Sequence, residues 1–347
     1  MRVVLNRGVA AAVLAGVVGV MPSVVLAQRA GGPANADTFP TPQQWAASTE
    51  TQAHVARAMA MGKADLADEA KAFCTPTGPQ RVALARQAQG LPPIPTRPIG
   101  PIKVFDNLYY LGFNDVGAWL VPTSAGLILF DTLNSTADAT AVIEAGIRQV
   151  GFDPAQIKYI VLSHGHPGQT DHTGGANYLQ KTYHPRIMMS KEDWDATLPA
   201  QKPERPLATR DMDIKDGQTL TLGDETITFS VLFGHSAGSL GMWIPVKWHG
   251  QSHVVLLHGG GLQHPTQASL DRFKDAIAKY GVPMKADGLM NSHPGIYQDT
   301  LAAMDQIRKN PNGPNPLLYT QDQASRYWKI MVECGTARVI AMNDGKK

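Results

Sequence analysis

The sequence predicts an α/β fold: an αββα sandwich of two mixed β-sheets with outer helices, preceded by an N-terminal helical extension. Three observations carry this expectation. Runs of short strands divided by turn residues give way to a helix, and the same grammar occurs twice along the chain. Predicted strands or their exits end in histidine at His164/His166, at His235 and at His293. Two short helix patterns and a proline-rich stretch stand ahead of both halves.

Residues 1–27 have the pattern of a secretory signal. Arg2 and Arg7 supply the positive start, an apolar run spans Gly8 to Val20, and Val25-Leu26-Ala27 offers a cleavage site. The run is short for a membrane span and no positive stop-transfer flank follows it. Cleavage, a periplasmic or secreted location and no stable membrane contact afterwards are therefore expected. Residues 28–45, QRAGGPANADTFPTPQQW, read as a flexible leader. A first short helix opens at the capping box Thr49…Gln52. A second carries Leu66, Ala70 and Phe73 on one face and ends near Cys74. The prolines of residues 90–101, GLPPIPTRPIGP, exclude regular helix and leave either an extended strap across a body or a free linker. The expected division is a signal at 1–27, a leader with two helices and a strap at 28–101, and the main domain at 102–347.

From residue 102, IKVF, NLYYLG, GAWLVPT and GLILFDT read as successive strands. A helix from about Ala137 to Val150 has Val142, Ile143, Ile147 and Val150 on one face and Gly151 as its stop. KYIVLSH is a buried strand running into the histidine cluster, and a helix from about Gly174 to Tyr183 follows. In the second half, QTLTLGDETITFSVLFGH gives two strands around a GDE turn, and SLGMWIPVKW and HVVLLHGGG give two more. LDRFKDAIAKYG is a helix and ADGLMNSH a strand. The last helix starts at the capping box Thr320…Gln323 and aligns Ala324, Tyr327, Trp328, Met331 and Val332 on one face.

At 347 residues, 43% hydrophobic and 17% charged, the chain has an ordinary globular composition and room for one large domain or two smaller ones. Its formal charge is 31 − 29 = +2, and removal of Arg2 and Arg7 leaves 29 − 29 = 0. That balance argues against nucleic acid or an anionic membrane as a partner. Cys74 and Cys334 are the only cysteines. In an exported protein they pair most simply as one disulfide, with two buried thiols as the alternative, and they are too few for a thiolate zinc site.

The stretch SHGHPGQTDHTGG, residues 163–175, crowds three histidines and an aspartate together. His164 and His166 alternate along extended chain and face the same way. Asp171 and His172 follow at a helix entry, and His235 and His293 come from other strand ends. Imidazole and carboxylate are the ligands zinc wants, and six are enough for two ions. Between His166 and Asp171 lie Pro167, Gly168, Gln169 and Thr170. Pro at i+1 and Gly at i+2 sign a type II turn, so the chain bulges outward and returns with both ligands facing one pocket. Asp131, closing GLILFDT, is either a hydrogen-bond acceptor for a ligand histidine or a turn residue. Ser236 and Ser239 lack a G-x-S-x-G elbow, which excludes a serine hydrolase.

These motifs resemble those of the metallo-β-lactamase superfamily. SHGHPGQTDHTGG is similar to its H-x-H-x-D-H signature, interrupted between the second His and the Asp. VLFGHSAGSL resembles the second histidine block and MNSHPGIYQD the third, in the form typical of the third subclass of zinc β-lactamases. NLYYLGFNDVGAWLVPTSAGLILFDT also matches that subclass, and the resemblance covers roughly residues 102–335. It implies two zinc ions, one on His164, His166 and His235 and the other on Asp171, His172 and His293. A water activated between the zincs would attack a small-molecule substrate, the amide of a β-lactam, with Asp171 orienting it. Two departures stand out. Phe233 replaces the usual Pro, and His258-Gly259-Gly260-Gly261 replaces a serine-bearing D-S-L-S stretch that helps hold the drug's carboxylate. His258 and the N–H groups of the three glycines are the expected substitutes for those serines. Lactone, thioester or other ester hydrolysis, or a non-catalytic binding protein with a degenerate site, are the alternatives. Oligomeric state stays open.

Overall fold

Alternation along the strands sorts their apolar side chains onto two faces, and each face finds a different partner. In the computed structural model, which describes residues 39–78, 96–262, 265–294 and 300–344, the first half forms a seven-stranded sheet in simple order. Its strands are β1 (Ile102–Phe105), β2 (Leu108–Gly112), β3 (Gly117–Thr123), β4 (Gly126–Phe130), β5 (Ile157–Val161), β6 (Arg186–Ser190) and β7 (Met212–Ile214). The first four run antiparallel through tight turns, and β4 to β7 run parallel because helices connect them. The second half forms a five-stranded sheet, β12-β11-β10-β9-β8, from β8 (Thr219–Leu222), β9 (Glu225–Val231), β10 (Leu240–Trp248), β11 (Gln251–His258) and β12 (Gly288–Asn291). Its one parallel pair is β11 with β12.

Trp119, Val121, Ile128 and Phe130 of the first sheet meet Phe229, Met242, Ile244 and Leu257 of the second in one central core. Each such side chain, fully buried, contributes about 1.5–3 kcal/mol. Their neighbours Leu120 and Leu129 face the other way, against Ile143, Ile147 and Leu179 from helices on that side. Trp243 and Leu256 likewise turn outward onto Leu270, Phe273, Tyr327 and Met331. The result is the αββα sandwich expected from the sequence.

The N-terminal extension differs from expectation in detail. It holds three helices: α1 (Pro42–Ala47), α2 (Thr49–Gly62) and α3 (Ala67–Phe73). The end of the expected leader is ordered because Thr41 and Gln44 form a reciprocal capping box and Trp45 packs on Ala337 and Ala341. The cap of α2 is Ser48, accepting from Thr51 N–H, one residue before the expected Thr49. All three helices lie on the last helix. There Cys74 and Cys334 form the disulfide, and Arg326 grips Asp65 through both guanidinium nitrogens. The expected signal, the leader up to residue 38, residues 79–89 and the first part of the strap, 90–95, lie outside the described residues. The strap's end is laid on the sheet, with Pro98 bridged to Phe113 and Ile99 N–H donating to Gly112 C=O at 2.9 Å.

In chain order the remaining helices are α4 (Thr136–Asp138, continuing through a π-helical turn to Gln149), α5 (Ala176–Tyr183), α6 (Lys191–Thr197), α7 (Gln267–Ala276), α8 (Thr300–Lys309) and α9 (Gln321–Asp344). Strands β6 and β7 and helices α6 and α8 add to the sequence-level outline. Among the described residues no helix is long and apolar enough to cross a membrane.

Candidate metal centre

All six expected ligand residues leave the carboxyl ends of strands in the two sheets, where open α/β sheets place their chemistry. His164 to His172 follow β5, His235 follows β9, and His293 follows β12. Two sets result. The donor atoms of His164, His166 and His235 lie within 4.8 Å of one another, as do those of His164, Asp171, His172 and His293. His164 thus stands within reach of both sets.

The turn at the insertion has the expected geometry. Gly168 has φ +71, Gln169 N–H donates to His166 C=O at 3.1 Å, and Thr170 is tied down by its hydroxyl donating to Asn134 C=O at 2.9 Å. The bulge is closed at its base, so Asp171 returns to the cluster.

Two buried carboxylates hold the cluster from behind. Asp131, fully buried, accepts from Ser163 N–H at 2.7 Å, from Ser163 Oγ–H at 2.8 Å and from His172 Nδ1–H at 2.8 Å. The backbone N–H and hydroxyl of Thr132 both donate to His172 C=O. These bonds hold Asp131 (φ +61) and His172 (φ +72) in left-handed backbone that non-glycine residues adopt only at a cost. Of the two readings of Asp131, the structure therefore bears out the acceptor.

Asp193, at the third position of α6, does the same for the other set. Its carboxylate accepts from Gly165 N–H at 2.9 Å, between His164 and His166, and from Ser236 Oγ–H at 2.6 Å and Gly238 N–H at 2.7 Å, just after His235. Burial pushes its carboxyl up to about 6, against the pull of those three donors. Sequence reasoning missed Asp193. Its only local signal is Ser190-x-x-Asp193, which also forms an ordinary helix start, with Ser190 Oγ accepting from Asp193 N–H.

The acceptors fix the tautomers. His293 Nδ1 faces the carbonyl of Asp115 at 3.1 Å and must donate, as His172 Nδ1 does to Asp131. Their Nε2 atoms then face each other at 3.1 Å, and those of His166 and His235 at 3.0 Å. Two nitrogens on one tetrahedral zinc would lie about 3.3 Å apart. His164 Nε2 and Asp171 Oδ1 are buried without a hydrogen-bond partner. Burial, and then the neighbouring imidazoles, holds His164 well below the usual imidazole range, so it stays neutral and able to donate its lone pair. Orphaned buried acceptors and paired imidazole nitrogens fit a metal ion, and the donor set of His and Asp fits zinc.

The expected substrate role of His258 and Gly259 to Gly261 is corrected by the structure. His258 follows the outward face of β11, is fully buried beside Phe273, and accepts Gly261 N–H on Nδ1 at 2.9 Å. Gly259 N–H donates to Leu240 C=O and Gly260 N–H to His258 C=O. No glycine N–H of this turn is left for a carboxylate. The turn instead packs on His235: a Cβ at Gly260 would fall 2.2 Å from the ring. His264 lies outside the described residues.

Residues 111–313 match the family described as the metallo-beta-lactamase superfamily, and the chain belongs to it. It is similar to BJP-1, a subclass B3 metallo-β-lactamase of Bradyrhizobium japonicum, at 27% identity over 66% of this chain and 89% of that one, with a TM-score of 0.51. MEM-A1, a subclass B3 enzyme from a soil metagenome library, shares 24% identity over 72% and 98%, with a TM-score of 0.57. FEZ-1 from Legionella gormanii shares 22% over 68% and 94%, with a TM-score of 0.54. The fold, the family and the His/Asp cluster make this chain a metallo-hydrolase.

Proposed function

We propose that this metallo-hydrolase is an exported dinuclear zinc enzyme that opens the amide of β-lactams. The observation that carries the reading is the pair of ligand sets meeting at His164. His166 and His235 would complete one zinc with it, and Asp171, His172 and His293 would hold the other. Zinc there would supply Lewis acidity and lower the pKa of a water. The chain's own work is positional. Asp131 holds His172 in its Nδ1–H tautomer, Asp115 C=O does the same for His293, and Asp193 fixes the two loops around the first set. Asp171 Oδ1, free of other hydrogen bonds, would orient the attacking water. Export is supported by the signal pattern of residues 1–27 and by the disulfide.

A second reading is hydrolysis of lactones or other esters. It is favoured by the engaged N–H groups of the glycine turn, which leave no carboxylate holder where serine-bearing relatives have one. Elemental analysis of zinc-loaded protein, with assays on a cephalosporin, a carbapenem and a lactone, tests both. Two zincs and β-lactam turnover are expected. Zinc content near zero would overturn the metal reading, and zinc-dependent lactone turnover without β-lactam cleavage would promote the ester reading.

A further inference from the structure

His293 takes its orientation from a loop that carries no metal ligand. In that loop, between β2 and β3, the C=O of Asp115 faces His293 Nδ1 at 3.1 Å. Phe113 N–H closes the base of the loop by donating to Val116 C=O at 2.9 Å, and the buried Tyr110 donates its hydroxyl to Phe113 C=O. On the inner side Gly117 N–H donates to Ser292 C=O at 2.8 Å, one residue before His293. A Cβ at Gly117 would fall 2.6 Å from the Tyr110 ring, so glycine is what lets the loop approach so closely.

The outer side of the loop is held by the end of the strap. Arg97 N–H donates to Asn114 Oδ1 at 2.9 Å, and Asn114 N–H donates to Arg97 C=O at 3.1 Å. Thr96 Oγ1–H donates to Asp115 Oδ2 at 3.2 Å, and among the described residues it is the one side chain that donates to this carboxylate. The other oxygen, Asp115 Oδ1, is buried with no hydrogen-bond partner. A carboxylate with one oxygen buried and unpaired is costly to keep in place, so the single donor to the other oxygen decides its position. Released, it would turn toward water and carry with it the peptide whose C=O faces His293. Without that acceptor the proton of a neutral imidazole can sit on either nitrogen, and the Nε2 lone pair that a metal ion takes is no longer guaranteed.

We infer that Thr96 and Asn114 are positioning residues for the ligand set of Asp171, His172 and His293. The strap's end clamps the loop of Asp115, and the loop fixes His293 as its Nδ1–H tautomer. Both residues act through the Asp115 peptide. The end of the proline-rich stretch is thereby part of the support of the metal centre. The zinc readout below rests on the dinuclear reading, whereas the tautomer readout does not.

The test uses the full chain, the variants Thr96→Val and Thr96→Val/Asn114→Ala, and the conservative variant Thr96→Ser. In zinc-free protein, two-bond proton–nitrogen NMR reads which ring nitrogen of His293 carries the proton, with the signals assigned by their loss in His293→Gln. In zinc-loaded protein, chelator competition reads the two zinc affinities. The wild type and Thr96→Ser are expected to hold His293 as Nδ1–H. The double variant should show mixed tautomers and a second zinc weakened by about tenfold, with the first unchanged. Thr96→Val alone should change in the same direction by less, and it carries the test should the double variant fail to fold. Retention of Nδ1–H in the folded variants would overturn the inference whatever the zinc affinities. Mixed tautomers with the second zinc at wild-type affinity, or equal weakening of both zincs, would overturn it too. A wild type that binds fewer than two zincs would overturn the dinuclear reading, and the tautomers alone would then decide whether the strap positions His293.

Discussion

Ser236 Oγ–H donates to the Asp193 carboxylate at 2.6 Å, and through that bond a helix following β6 is tied to the loop that carries His235. The same carboxylate takes Gly165 N–H from the loop of His164 and His166. One buried residue therefore sets the spacing of all three ligands in the first set. Asp193→Ala would leave the N–H groups of Gly165 and Gly238 without an acceptor, at about 1–3 kcal/mol each. The first set's zinc affinity should fall by about 10–100-fold, the range seen when groups supporting metal ligands are removed. Zinc titration by competition with a chelator, with thermal unfolding of the same samples, checks it. A folded variant with two zincs bound at wild-type affinity would reduce Asp193 to a packing residue.

The contrast between Asp193 and the histidines shows what sequence can reveal. The strands, the order of the histidine blocks and the proline-glycine turn were legible because each is a local pattern with its own physical signature. The disulfide was legible because only one pairing exists. Asp193 was not, because its three donors come from residues 165, 236 and 238. The engagement of Gly259 N–H was hidden for the same reason, since its acceptor is Leu240 on the neighbouring strand. Helix α1 is short and polar, and only the distant Ala337 and Ala341 explain why Trp45 orders it. Strands β6 and β7 are brief, and β7 has only three residues in which to show alternation.

Gly260 has φ +95 and no room for a Cβ, which would overlap the His235 ring. Gly260→Ala must therefore strain its own backbone, at more than about 1 kcal/mol, and also displace His235. The first set should lose zinc affinity by at least about tenfold. Gly250→Ala is the control, because that glycine also has positive φ but meets nothing within 4 Å. It should lose stability without losing zinc. Equal zinc affinity in both variants would show that the glycine turn does not position His235.

Cys74 and Cys334 close a separation of 260 residues and pin α3 to α9 on the face away from the central core. Cys334→Ser should cost about 2–5 kcal/mol of stability in the chain-entropy picture. Zinc content should be unchanged, because the bond joins outer helices and no ligand loop. Thiol titration of unreduced, denatured protein should find none free. Two free thiols would reject the bond, and loss of zinc in the serine variant would couple the outer helices to the site.

The last expectation concerns acid. Burial alone pushes His258 down to about 3, so it stays neutral in the folded protein across most of the acid range. In the unfolded chain the same imidazole titrates near ~6.5. Between those values the unfolded state binds the extra proton, so stability falls as pH drops below about 6.5 and is lost progressively toward about 3. The full effect is on the order of 5 kcal/mol. Asp193 acts with the opposite sign. Its carboxyl, raised to about 6, binds a proton in the folded state first, which favours the folded protein as pH falls from about 6 to about 4. Between about pH 4 and 6 the two slopes nearly cancel. The shift at His258 is the larger, so the pair leaves a net acid destabilisation of only about 2 kcal/mol, gained above and below that window. His258→Gln can keep an acceptor for Gly261 N–H while removing the titration. Urea unfolding at pH 7.5 and pH 4.5 should show a smaller loss for that variant than for the wild type, both stripped of zinc. Parallel losses in the two proteins would place the acid sensitivity elsewhere.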